Sequence, residues 1–341
     1  MAGPDPAVAA VRSAVRPGLR ADPGPVLVAC SGGADSLALA AAVAFEAARA
    51  GCPAGAVTVD HSLQPGSAER ASATAALLHG LGLDTVLVVA VRVGAAGGPE
   101  GAARDARLAA LGTAAAEHGA RVALGHTLDD QAETVLLGLA RGSGPRSVAG
   151  MVAWRPPFWR PLLGIGRGTT RQACAAQGLP VWDDPWNTDP RYTRARLRAE
   201  VLPLLEDTLG GGVAGALART AAMVREDVDA LDALAAEALR ALAGPDGLPA
   251  AGLAGLPAAL RRRVLRGWLA TAGVPDLQAV HLAAVDALVT GWHGQGRVDL
   301  PGGAGVTRAS GTLAVQPGAS RGASDSQRGP HPDPQHEEPA P

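Results

Sequence analysis

The stretch VLVACSGGADSLALAAA, residues 26–42, decides the fold. An apolar run ends in Cys30, followed by Ser31, Gly32, Gly33, Ala34, Asp35 and Ser36, and then Leu and Ala recur at helical spacing. This reads as a buried strand, a tight loop and a helix start. Gly32 and Gly33 let the backbone turn sharply and approach a ligand with no Cβ in the way. Backbone N–H groups at a helix N-terminus favour an anion, and Ser31 and Ser36 add hydroxyl donors. The loop is therefore a phosphate cradle. It is not a Walker loop, which needs a lysine; all 30 basic residues here are arginine. Asp35 repels phosphate unless a cation sits between them, which implies Mg²⁺ or a bound amine. A helix cap accounts for one of these residues, but not for two glycines flanked by two serines.

Outward from this loop, strand-like and helix-like runs alternate. Strands are predicted over 25–30, 56–60, 85–91 and 121–125, with helices over 35–50, 67–81, 101–118 and 129–140. Continuous Val/Leu strands separated by helices predict an α/β fold with a doubly wound, mainly parallel sheet covered on both faces. Ligands bind such sheets at the carboxyl ends of the strands, where the polar clusters fall. Residues 141–166 read as loop, 167–177 as a helix, and 212–242 as one long helix. Two amphipathic helices (259–273 and 277–292) and three short strands (296–303, 305–310 and 311–316) follow. The expected division is an N-terminal helix and lead-in over 1–24, a catalytic domain over 25–210, a mainly helical domain over 211–316 and a disordered tail over 317–341.

The 341 residues, 47% hydrophobic and 18% charged, can build a sizeable core, and an aromatic share of 3% makes that core Ala, Val and Leu. A net charge of −2 gives no global sign of nucleic acid. Cys30, Cys52 and Cys174 form no CxxC pair, which argues against a zinc ribbon or a disulfide framework and fits a reducing cytoplasm. The N-terminus lacks a signal-peptide pattern, and no charge-free apolar run approaches the ~20 residues of a membrane span.

A second cluster lies in GHTLDDQAETVLLGLARGSGPRSVAGM, residues 125–151. His126, Asp129, Asp130 and Glu133 crowd a strand end and the first turn of a helix, with Asp130 and Glu133 on one face. Acids favour a helix start, but three of them beside a histidine exceed that need. The resulting field suits Mg²⁺ or a substrate ammonium. Further on, Arg191, Arg194, Arg196 and Arg198 lie near Trp182, Trp186 and Tyr192. Guanidinium groups fork onto phosphate and aromatic rings stack unpaired bases, so this segment fits an RNA loop. Arg261, Arg262, Arg263 and Arg266 beside Trp268 read better as a helix face carrying a core tryptophan.

SGGADS resembles the loop of enzymes that cleave ATP to AMP and pyrophosphate, among them GMP synthetase, asparagine synthetase and tRNA thiolases. The ordered set GHTxDDQAETVLLxLxRGSG…GM, with VDHSLQPGSAE (59–69), PEGAARDARLAAL (99–111), RPLL (160–163) and DDPWNTDPRYTRARLRAEVLPLL (183–205), closely resembles the tRNA(Ile)-lysidine synthetase family over about residues 25–210. The resemblance implies a cytoplasmic ligase with ATP and Mg²⁺ as cofactors. Its substrates are free L-lysine and the isoleucine tRNA with a CAU anticodon, and no protein partner is implied. ATP adenylates the carbonyl oxygen of the wobble cytidine, and the lysine side-chain amine then displaces AMP. It further implies that Ser31, Gly32, Gly33, Ala34 and Ser36 hold the phosphates, with Asp35 facing them through the metal. Arg104 and Arg107 are candidates to neutralise the α-phosphate. Asp130 and Glu133 hold the ammonium, His126 orients the adenylate or moves protons, and Arg191, Arg194, Arg196 and Arg198 contact tRNA. Gln64 and Leu108 stand where the family's pattern has Arg and Tyr. A tRNA thiolase on the same fold is the alternative, although isolated cysteines argue against it. A non-catalytic RNA-binding protein with a relic loop fits less well, because both motifs are intact.

Overall fold

The computed structural model describes residues 3–60, 66–91 and 99–316. Gln64 and the tail over 317–341 lie outside the described residues. The chain forms two compact units, Met1–Glu226 and Asp227–Pro341. This division falls inside one continuous 30-residue helix, Val213–Leu242.

The first unit opens with α1 (Pro6–Ala21), β1 (Val26–Ala29), α2 (Ala34–Ala50), β2 (Ala54–Asp60), α3 (Ser67–Gly80) and β3 (Thr85–Ala90). It continues with α4 (Pro99–Glu117), β4 (Arg121–Leu124), α5 (Leu128–Ala140), α6 (Pro145–Val148), β5 (Trp154–Arg155), β6 (Phe158–Trp159) and α7 (Arg167–Ala176). A helical run of α8 (Thr193–Arg196), a π turn (Leu197–Val201) and α9 (Leu202–Thr208) leads to α10 (Val213–Leu242), which crosses into the second unit.

The sheet order is β3-β2-β1-β4-β6-β5, parallel except for the β5–β6 pair. β5 and β6 fall in the segment predicted as loop. Each is two residues long and the pair turns through Pro156 and Pro157, so no alternating pattern marks it. β1 sends its next strand to one side while β4 lies on the other, so the strand order reverses between them. That switch point is where ligands bind in open α/β sheets. The register pairs Val26 with Arg121 and Ala29 with Leu124, so the loops after β1 and β4 leave the sheet side by side.

Alternation along β1 covers both faces. Val26 and Val28 pack under α1, α2 and α7 with Leu37, Val43, Leu19 and Cys174. Leu27 faces the other way, with Val57, Val122, Leu124 and Leu111 of α4. The α1 stripe of Val8, Val11, Val15 and Leu19 is buried, so the lead-in helix belongs to the core of this unit. Leu108, at the position where the resembled family has Tyr, packs against the second of these clusters.

The second unit holds β7 (Leu248–Pro249), α11 (Ala250–Ala254), α12 (Ala258–Thr271), α13 (Ala279–Thr290), β8 (Val298–Asp299), β9 (Gly305–Ala309) and β10 (Thr312–Gln316). Its antiparallel sheet runs β7-β10-β9-β8 and closes on α12 and α13 through Leu265, Leu269, Val285, Leu288, Val306 and Leu313. No single helix among the described residues is long and apolar enough to cross a membrane.

Candidate active site

The site is built on the two loops that the switch point brings together. Gly32 adopts φ +84°, a left-handed turn that disfavours any side chain, and Gly33 caps α2. Ser36 Oγ accepts from the Ser31 N–H at 3.2 Å and donates to the Gly33 carbonyl at 2.9 Å, so the loop holds its own shape. Gly125, at the end of β4, lies tightly against the phosphate loop. A Cβ there would meet the backbone of Asp35 and Ser36 at 3.1 Å. That close approach seats His126 and α5 against the phosphate loop.

Thr127 caps α5 and Asp130 completes the box: Asp130 accepts from the Thr127 N–H at 2.8 Å and from its hydroxyl at 3.1 Å. The ordinary capping role thus accounts for one oxygen of Asp130. The other oxygen faces arginines. Arg167 Nη2 donates to it at 2.8 Å, and Arg198 Nη2 lies at 3.4 Å. Arg167 also reaches Asp35 with Nε at 3.3 Å and Glu133 with Nη1 at 3.6 Å. Its own N–H donates to Asp129 at 2.7 Å, so Asp129 caps α7 rather than facing a ligand. Thr170, one turn along α7, donates to the second oxygen of Asp35.

One guanidinium therefore touches both the phosphate-loop acid and the acids after β4, which places the two predicted half-sites in one chamber. A cavity of about 790 Å³ runs over them. Ser31, Gly33, Ala34, Asp35 and Ser36 line it, as do Arg104, Arg107, His126, Asp130, Arg194 and Arg198. Glu133 does not line it. Its side chain is 0% exposed and is gripped by Arg198 at 2.9 and 3.3 Å, with Arg194 at 3.8 Å. Glu133 was expected to hold the incoming ammonium beside Asp130; here its carboxylate anchors arginines. The arginine run splits by helical phase. Arg194 and Arg198, four apart, turn inward to the acids. Arg196 faces out to Glu200 at 3.5 Å, and Arg191 is exposed and chelates Asp189 at 2.6 Å.

Burial and neighbours push the two cavity carboxylates apart. Asp35 is raised above the ordinary carboxyl range by burial, against the pull of Thr170 and Arg167. Asp130 also suffers from burial, but Arg167, the Thr127 N–H and Arg198 outweigh it and hold it below that range. His126 is pushed down to about 3, by burial first and then by Arg107, Arg104 and Arg160 against the opposing pull of Asp130. Its imidazole is neutral at physiological pH and its buried Nδ1 has no partner among the described residues, which suits orientation rather than cationic proton transfer. Arg107 is lowered by burial and by Arg104 beside it, and its buried Nε likewise has no partner among the described residues. Both groups point to an anion-binding end of the cavity.

Sequence reading missed Arg167, Thr170, Arg70 and Gln131. Arg70 stacks on Trp182 at 4.7 Å, and the backbone N–H of Trp182 donates to the Gly32 carbonyl at 3.0 Å, so an aromatic platform adjoins the phosphate loop. Gln131 exchanges two hydrogen bonds with the backbone of Met151, at 3.0 and 2.8 Å, and pins the end of the GM segment. In the second unit, Arg261 is buried on Asp286 at 2.6 Å and Arg263 pairs with Asp232 at 3.0 Å, which makes this cluster structural. All three cysteines are free and buried; Cys174 is pushed up to about 11 by burial and by Asp35.

Residues 9–205 match the family described as the PP-loop domain, and residues 248–314 match the TilS substrate binding domain. The tRNA(Ile)-lysidine synthase of Thermobifida fusca is 56% identical over 92% of this chain and 99% of its own length. The chain belongs to the tRNA(Ile)-lysidine synthase family. The Streptomyces coelicolor tRNA(Ile)-lysidine synthase is 53% identical over 93% of this chain and its own full length. The Mycobacterium tuberculosis tRNA(Ile)-lysidine synthase is 55% identical over 80% of this chain and 83% of its own. Among solved structures, the U34-tRNA thiolase NcsA from Methanococcus maripaludis, with its [4Fe-4S] cluster, aligns with a TM-score of 0.54. It covers 64% of this chain and 80% of that one, at 18% identity, and so shares the fold alone. Membership of the lysidine synthase family makes the chain a ligase with a PP-loop ATP-binding domain.

Proposed function

We propose that the chain ligates free L-lysine to the wobble cytidine of the CAU-anticodon isoleucine tRNA in two steps within the 790 Å³ cavity. The observation that carries this reading is the bridge from Asp35 through Arg167 to Asp130, which sets a phosphate loop and an amine-binding acid within one side chain's reach. In the first step the cytidine carbonyl oxygen attacks the α-phosphate of ATP, and pyrophosphate leaves. Ser31, Ser36 and the backbone N–H groups of the loop cradle the phosphates. Arg104 and Arg107, at the anion-binding end, stabilise the charge that develops.

The cavity residues fit a Mg²⁺ carried in with ATP rather than a resident metal. Among the described residues no cluster of His, Cys, Asp or Glu could hold a metal unaided, and Mg²⁺ in phosphate sites typically takes one or two carboxylates plus phosphate oxygens. Asp35 is the carboxylate for that role, and the ion supplies charge neutralisation at the phosphates.

In the second step the lysine side-chain amine attacks the activated ring carbon, and AMP departs with the former carbonyl oxygen. Asp130, held ionised by its neighbours, anchors the ammonium. Only the neutral amine is a nucleophile, so a proton must leave first. A carboxylate of the cavity takes that proton. Neutral His126 orients the adenylate. Arg194 and Arg198 hold the acids, while Arg191 and Arg196 face outward to the tRNA backbone, and Trp186 and Tyr192 at the cavity rim stack the loop base.

A single-turnover assay with labelled ATP and the tRNA, lacking lysine, tests the order. The reading expects pyrophosphate release with AMP retained on the RNA, and AMP release only on adding lysine. Pyrophosphate release that needs lysine but no tRNA would mean amino-acid adenylation and would overturn it.

A further inference from the structure

We infer that Arg167 couples the nucleotide loop to the amine site: it stands on Asp130 in place of the substrate ammonium and is drawn off when a triphosphate settles beside Asp35. The inference rests on the proposed lysine-ligating role of the cavity. Arg167 opens α7 with its N–H fixed on Asp129 at 2.7 Å, so its backbone is anchored while its side chain can pivot. The guanidinium is held unevenly, at 2.8 Å from Asp130 but 3.3 Å from Asp35 and 3.6 Å from Glu133. Charge-assisted N–H···O contacts run at about 2.7–2.9 Å, so one of the three is at full strength.

The neighbours make the move asymmetric. Glu133 keeps Arg198 at 2.9 and 3.3 Å whether or not Arg167 stays. Among the described residues, Asp130 keeps the 3.4 Å contact with Arg198 and the Thr127 cap. Drawing Arg167 toward the loop therefore takes from Asp130 its principal cation and leaves Glu133 satisfied. Phosphate oxygens of a triphosphate accept the guanidinium fork and carry more charge than a single carboxylate. Asp130, which lines the cavity, is then left to pair with the lysine ammonium. One side chain biased by two ligands gives coupling that is reciprocal: nucleotide strengthens lysine binding, and lysine strengthens nucleotide binding equally. Arg167 is a positioning residue in this scheme.

Calorimetric titration of L-lysine into the full chain, with and without Mg²⁺ and α,β-methylene-ATP, tests it. In the unsubstituted protein the analogue should tighten lysine binding about tenfold, within the usual range of allosteric coupling. Arg167→Met should bind lysine more tightly than the unsubstituted protein when no nucleotide is present, and the analogue should then change its Kd less than about twofold. Arg167→Lys keeps one charge but cannot fork between two acids, so it should show intermediate coupling; it serves if the Met variant fails to fold by circular dichroism. A Met variant that gains no lysine affinity, or keeps the full coupling ratio, overturns the inference. Equal lysine binding with and without nucleotide in the unsubstituted protein also overturns it, while leaving the amine site intact. Absence of lysine binding in both states overturns the amine site itself.

Discussion

At the scale of single residues, the site is an arginine–carboxylate lattice with two distinct kinds of member. Glu133 and Arg198 are structural anchors, whereas Asp35 and Asp130 face the cavity. Glu133→Gln leaves Arg198 and Arg194 without their buried counter-charge. Both arginines are about a third exposed, at 30% and 33%, which screens the loss. The expected cost is therefore about 2 kcal/mol, below the usual range for breaking a buried pair. Differential scanning calorimetry should read it as a Tm lowered by about 4–8 °C for a unit of this size. Thr170 acts on Asp35. Its hydroxyl lowers the carboxyl's pKa against the burial that raises it, so Thr170→Val should raise that pKa further. Asp35 must be ionised to serve, so the acid limb of kcat/KM for ATP should shift to higher pH. A limb that stays in place, or moves to lower pH, contradicts this role.

At the scale of elements, the loop after β1 and the loop after β4 work only because they nearly touch. Gly125→Ala forces a Cβ to 3.1 Å from the Asp35 and Ser36 backbone, and backbone cannot give way as a flexible side chain can. The loop must shift by a few tenths of an ångström, and an orientation-sensitive step should slow by about 10²-fold or less. Steady-state kinetics should place the defect in ATP use. The same juxtaposition explains what could be read from the chain beforehand. The strand–loop–helix unit at 26–42 was legible because Val/Leu strands, paired glycines and a Leu/Ala helix are local signals. The sequence groups the four arginines over 191–198 as one tRNA-contacting set, and the inward turn of Arg194 and Arg198 against the outward turn of Arg196 emerges only with their carboxylate partners. Arg167 was not legible either: it opens an ordinary helix 37 residues beyond Asp130, and the packing of α7 against α1 and α2 brings it there. The β5–β6 pair was hidden by its two-residue strands and prolines. The neutrality of His126 was equally illegible, because it arises from burial and from three arginines distant in sequence.

At the scale of the whole molecule, a net charge of −2 conceals a division of labour among arginines. Some satisfy buried acids, as Arg261 does on Asp286, and some face outward, as Arg191 and Arg196 do. Replacing Arg191 and Arg196 together by Ser should flatten the salt dependence of tRNA binding, by about 0.7 in slope for each phosphate of a single-stranded loop that the protein no longer neutralises. Arg261→Ser should leave that slope unchanged and lower the melting temperature instead. Family membership extends over both units, and the cavity is proposed to join three substrates. Incorporation of labelled L-lysine into CAU-anticodon isoleucine tRNA tests this most directly. The account predicts ATP-dependent incorporation with one AMP and one pyrophosphate per lysine, abolished in Asp35→Ala. Near-normal incorporation by that variant, or none by the unsubstituted protein, would contradict it.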